Sequence, residues 1–141
     1  MIKDKVSDSV YEIYVESYPE KITREVYRGD YLTHTLIGFN NDDSPFDFSI
    51  YNEINASLRL YTPLTTGSPT HDFSDSEIVL GKKNSTSSIK DELHLTSGSA
   101  LDIPVSRNRV DGWIDIEGVL NGETKSFIQI KLQINIDITR P

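Results

Sequence analysis

Apolar and polar residues alternate with a period of two over much of the chain, and a helical period hardly appears. The clearest run is FIQIKLQINIDIT, Phe127 to Thr139. Its Ile128, Ile130, Leu132, Ile134, Ile136 and Ile138 are separated by Gln129, Lys131, Gln133, Asn135, Asp137 and Thr139. Successive side chains of a strand point to opposite faces, so this run predicts one buried and one solvated face. GWIDIEGVL precedes it, joined through Asn121-Gly122, and Asn-Gly between two alternating runs is a hairpin signal. A two-residue turn in strict register would set Ile114 opposite Gln129 and mix the faces. A three-residue loop Leu120-Asn121-Gly122, with Gly122 left-handed in a bulge, sets Ile114 opposite Ile128 and is the expected form.

Shorter alternating stretches lie upstream: Val10 to Val15, Lys21 to Tyr27, Tyr31 to Phe39 with Leu32 and Leu36 as core candidates, the run through Ala56, Leu58 and Leu60, and Glu77 to Leu80. Ala100 to Val105 reads as a further short strand, which Pro104 demotes to an edge or a loop. Gly81 to Leu95 is ambiguous and admits a short helical turn around Ile89 to Leu93. Arg28-Gly29-Asp30, Asn40 to Pro45 and Thr65 to Ser76 read as turns or loops, with Phe46 and Phe48 anchoring the end of the second. Many short strands and little helix predict an all-β fold. The expected form is an antiparallel β-sandwich of immunoglobulin-like or jelly-roll-like type, closed by a long C-terminal hairpin over residues 112–139. The 141 residues make one domain, 1–141, in which 1–14 is a candidate assembly arm.

The final strand changes this picture. A dozen residues at about 3.3 Å each span roughly 40 Å, against about 17–20 Å for a typical strand. Either it bends at a bulge and serves both sheets, or its end projects and meets another subunit. An overlong strand is suited to adding to a neighbour's sheet edge.

Charge and composition narrow the function. Fourteen basic residues stand against 22 acidic ones, a formal net charge of −8, which repels nucleic acid at long range. The chain has no cysteine, which excludes disulfides, thiolate metal sites and cysteine nucleophiles. No run approaches the roughly 20 apolar residues of a membrane span, and MIKDKVSDSVYEIYV has no signal-type apolar core. The expected place is a cytoplasm, or a particle released from one.

Candidate chemistry is sparse. His71-Asp72, with Asp75 and Glu77 nearby, contains zinc- or manganese-type donors, but its spacing matches no metal motif. It is read as a polar loop, and neither metal nor cofactor is expected. Asn40 to Ser44 lacks calcium-loop spacing. Asp115 and Glu117 share a strand face, as a glycosidase pair or any solvent-facing pair does; the second reading is preferred. Nucleophile-elbow and phosphate-loop motifs are missing, so no enzyme is expected. Trp113 falls on the face opposite Ile114 and is a candidate for an interface or for a cover over one end of the sandwich. With Ile134, Ile136 and Ile138 of the last strand, and Tyr11 and Tyr14 of the arm, it makes up the expected interface.

Val26 to Tyr61 carries a further pattern: Gly29-Asp30 at a turn, an alternating strand, a polar loop, Pro45-x-Asp47-Phe48, and a strand of the form A-S-L-R-L. This layout resembles the N-terminal β-sandwich domains of bacteriophage baseplate and tail-fibre adaptor proteins. The matching residues are Gly29, Asp30, Pro45, Asp47 and Phe48, within about a quarter of the chain. The expected departure from the family is a single domain without the fibre, stalk or receptor-binding tip. The resemblance implies a structural virion part: an adaptor or decoration subunit of tail, baseplate or capsid exterior, contacting other virion proteins and copies of itself. The alternative expectation is a carbohydrate- or host-surface-binding module built on Trp113, the tyrosines and the loop Thr65 to Asp75.

Overall fold

A computed structural model describes residues 2–17, 19–29, 31–61, 69–84, 86–98 and 109–135. They form a β-sandwich of two five-stranded sheets. The strands are β1 (Ile2–Ser7), β2 (Val10–Tyr14), β3 (Glu20–Tyr27), β4 (Thr33–Phe39), β5 (Glu53–Leu60), β6 (His71–Asp72), β7 (Ile78–Gly81), β8 (Glu92–Thr96), β9 (Arg109–Leu120) and β10 (Glu123–Asn135). The front sheet has the order β1-β2-β4-β8-β7, and the back sheet β3-β10-β9-β5-β6. Each sheet is mixed, because β2 pairs with β4, and β3 with β10, in parallel.

Period-two alternation becomes burial directly. Along β9, Val110, Ile114 and Ile116 are buried, while Asp111, Trp113, Asp115 and Glu117 face out. Along β10, Ile128, Ile130, Leu132 and Ile134 point into the same core. Tyr11, Ile13, Leu36, Leu93 and Leu95 answer them from the front sheet. An aromatic cluster seals one end: Phe48 and Tyr51 each meet Phe127 edge to face, with ring centres at 5.4 and 5.2 Å.

The hairpin differs from the expected form. Leu120 pairs directly with Glu123 across a two-residue turn. Asn121 (φ 52°) and Gly122 (φ 83°) are both left-handed, the signature of a type I′ turn. The faces are reconciled further along, by a bulge: Ser126 opposes Glu117 and Ile128 opposes Ile116, leaving Phe127 as the extra residue. Phe127 and Ile128 are consecutive, yet both are buried. Ile114 therefore faces Ile130, not Ile128.

From Ile128 to Asn135, β10 is an interior strand with β3 on one side and β9 on the other. It stays in the back sheet, and its hydrogen-bonding edges are occupied, so this part of it has no edge to offer a neighbour. The N-terminal arm folds back instead: β1 pairs antiparallel with β2 at the rim of the front sheet. Lys3, Asp4 and Lys5 on β1 are the charges that commonly guard a sheet edge. The helical turn admitted near Ile89 to Leu93 gives way to β8, because Leu93 and Leu95 alternate into the core opposite Leu36 and His34. The strand expected at Ala100 to Val105 lies outside the described residues, as do Ile136 and Ile138. Among the described residues no helix is long and apolar enough to cross a membrane.

Candidate functional site

The outward side chains of the back sheet form rows across its strands. Arg59 on β5, Trp113 on β9, Lys131 on β10 and Thr23 on β3 stand in register. The next row runs Asp72, Ser57, Asp115, Gln129 and Lys21, from β6 to β3. A third holds Asn55, Glu117 and Ser126. Alternation dictates the arrangement, since each residue is the polar partner of a buried neighbour along its strand.

The face is concave between β5, β6 and β9. A cleft of about 460 Å³ opens there, lined by Asn55, Ser57, Arg59, Asp72, Asp115 and Glu117. Several lining groups are held in place. Gln129 Nε2 donates to Asp115 Oδ1 at 2.9 Å, and Arg59 Nη1 donates to Ser57 Oγ at 2.7 Å. Lys131 Nζ sits 5.6 Å from the centre of the Trp113 ring and 3.9 Å from Asp111 Oδ2. Others have spare capacity among the described residues. Arg59 has no ion pair there, and its Nε is buried without a hydrogen-bond acceptor. Glu117 is half-buried; burial raises its carboxyl above the usual range first, Asp115 and Glu53 add to the rise, and Arg59 opposes it.

The other expected positions distribute differently. Tyr11 and Ile134 are core residues, at 2% and 3% exposure. Tyr11 turns its hydroxyl onto the Asp8 carbonyl at 2.6 Å, and Ile134 continues the inward row of β10. Neither presents a surface to a partner in this arrangement. Tyr14 is half-buried and donates to Asp43 Oδ1 at 2.6 Å, tying β2 to the Asn40–Pro45 loop. Trp113 does lie on the outer face, opposite in sense to the fully buried Ile114.

His71 does not gather Asp72 and Asp75 into a metal centre. Its Nε2 lies 3.1 Å from Glu77 Oε1, and its ring packs edge to face on Phe73. Glu77 also accepts the backbone N–H groups of Ser74 and Gly98. The Ser74 amide is the largest cause of its carboxyl lying well down, at about 2. This is a loop clamp. Among the described residues no group of three or more His, Asp or Glu side chains is placed to hold a metal ion.

The motif Pro45-x-Asp47-Phe48 has local work to do. Pro45 bridges Phe39, and Asp47 Oδ1 accepts the amides of Ser49 and Lys90 at 3.0 and 3.2 Å. Phe48 is fully buried as the first residue of a one-turn 3₁₀ helix, Phe48–Ile50. Sequence reasoning found Trp113, Asp115 and Glu117 on one face. It did not find Arg59, Asn55 or Asp72 beside them, because cross-strand neighbours depend on sheet order. The chain matches no family model and no curated protein.

Proposed function

We propose that the chain is a non-catalytic binding module and that the outer face of the back sheet is its contact surface. The observation that carries this reading is the cleft beside Trp113, where Arg59 Nε is buried without an acceptor among the described residues and the Glu117 carboxyl is partly withdrawn from water. Such groups carry a desolvation cost that a bound partner relieves. Binding is preferred to turnover because Asp115 and Glu117 sit two apart on one strand face. They approach a ligand from the same side, whereas glycoside cleavage uses carboxylates that flank the bond.

The test is co-sedimentation of the full chain with bacterial envelopes, next to the variants Trp113→Ala and Arg59→Met. Loss of sedimentation in folded variants supports the reading; unchanged sedimentation removes this face from it.

A second reading is a structural subunit of a bacteriophage particle, in contact with other virion proteins and with copies of itself. It rests on the resemblance carried by Gly29, Asp30, Pro45, Asp47 and Phe48. With both edges of β10 occupied from Ile128 to Asn135, the contact passes to β7, an edge strand among the described residues (Ile78–Gly81) without a charged residue and with Val79 52% exposed. Edges left unguarded in this way accept further strands. Sedimentation velocity decides it: the reading expects a multi-copy species that Val79→Lys dissociates, and a monomer at all concentrations ends it for self-assembly.

A further inference from the structure

The cleft's chemistry is specific enough to name a ligand class. Resting on the reading of this face as a binding face, we propose that the cleft between Arg59, Asp115 and Glu117 binds a neutral carbohydrate.

The first argument is hydrogen-bonding sense. A guanidinium only donates, and ionised carboxylates only accept. Arg59 supplies donors on one side of the cleft, while Asp72, Asp115 and Glu117 supply acceptors around it. Asn55 adds an amide that does both. A ligand matched to such a wall needs many closely spaced groups that donate and accept at once, which describes sugar hydroxyls.

The second argument is charge. The lining carries three carboxylates against one guanidinium, and the whole chain has a net charge of −8. Phosphates, uronates and nucleic acids are repelled. A compact cation meets the opposite difficulty, since Arg59 stands among the carboxylates where that cation would have to sit.

The third argument is shape and preorganisation. About 460 Å³ falls within the range of small-ligand sites, about 300–1,000 Å³. The Gln129–Asp115 and Arg59–Ser57 hydrogen bonds fix two of the recognising heads before any ligand arrives, which lowers the ordering cost of binding. Trp113 borders Arg59 across the strands, so a ligand seated on the guanidinium alters the indole's surroundings.

That last contact supplies the experiment. Trp113 is the only tryptophan in the chain, so emission excited at the red edge, where the seven tyrosines do not absorb, reports this corner alone. Maltose, cellobiose and N,N′-diacetylchitobiose are titrated as neutral probes, with glucuronate and spermidine as the anionic and cationic controls. The expected result is a saturable emission change with at least one neutral disaccharide and none with the controls. Arg59→Met and Asp115→Asn are expected to weaken it about tenfold or more, the effect of losing a charged hydrogen-bond partner. Asn55→Ala, at the exposed rim, gives a smaller loss and serves if the other variants fail to fold. Saturation by spermidine or glucuronate alone, or neutral-sugar binding that survives these changes, overturns the proposal. So does failure of every neutral probe up to its solubility limit. If envelopes still sediment the parent chain and not the face variants, the carbohydrate assignment falls while the binding face stands. If the variants sediment unchanged as well, both fall.

Discussion

Arg24 of β3 reaches across the core to His34 of β4 and joins the two sheets, its Nη1 3.0 Å from His34 Nε2 and 3.0 Å from the Thr33 carbonyl. A guanidinium cannot accept a hydrogen bond, so Nε2 must be the acceptor and the imidazole proton resides on Nδ1. That Nδ1 is buried and has no hydrogen-bond partner among the described residues. Burial first, and the Arg24 charge second, push the ring's pKa from 6.5 down to about 3.

This sets an acid sensitivity. A histidine whose pKa is depressed on folding costs nothing when both states are neutral, and it destabilises the fold once the unfolded chain takes up a proton. Stability should therefore fall as pH drops below 6.5 and continue falling to about 3. Between pH 7 and pH 5 the expected loss is about 2 kcal/mol, at 1.36 kcal/mol per pH unit. Urea midpoints at the two pH values measure it. In His34→Leu the difference should shrink by about that amount, and an undiminished difference would show that His34 is not its source.

Gly118 faces inward on β9 at the aromatic end of the core. A Cβ built there would lie 2.7 Å from Phe127 Cζ and 2.8 Å from the Tyr51 ring. Gly118→Ala should destabilise by about 1–3 kcal/mol through overpacking. A neutral result in chemical denaturation would mean that the ring cluster moves freely.

Phe127 fills the bulge and the core together. Phe127→Ala should cost about 3–5 kcal/mol. Deleting Phe127 outright should cost no more than that, because Ser126–Glu117 and Ile128–Ile116 already follow each other along the ladder. A deletion that abolishes folding while Phe127→Ala folds would show that the bulge geometry, and not the side chain, holds the strand.

Glu77 keeps the β6–β7 connection and the segment after β8 together through the amides of Ser74 and Gly98. Glu77→Gln should speed hydrogen exchange at both amides and leave core amides of β9 unchanged. The depressed carboxyl contributes stability above the unfolded value of 4.5, which is lost as pH falls toward 2. Its window thus lies below the pH 5 to 7 interval used for His34.

Strands were legible wherever one face is buried and the other wet, as in β5, β9 and β10, since alternation and burial are then the same fact. Residues Ile89 to Leu93 misled because Ile89 and Leu93, four positions apart, suit one face of a helical turn, and so short a segment fits a strand as well. The hairpin register misled for a physical reason. Phe127-Ile128 is a pair of adjacent apolar residues at the head of an otherwise strict alternation, and that break in phase was the sign of a bulge. Of the candidate site, Asp115 and Glu117 were legible because they share a strand. Arg59 and Asp72 were not, because they join through pairings between separate strands. The Arg24–His34 contact spans two sheets and leaves no local trace in the sequence.

The parallel pairing of β3 with β10 also bears on how the protein is made. Glu20 pairs with Ile128 and Tyr27 with Asn135, so β3 waits for β4 to β9 to be made before its partner exists. On the ribosome β1 and β2 can close as a local hairpin early, while the back sheet can close only once β10 has been made and inserts between β3 and β9. Contacts between parts so distant in sequence slow folding and leave apolar strands exposed meanwhile. Refolding should therefore be limited by the docking of β10, and the nascent chain depends on protection from aggregation until that strand emerges.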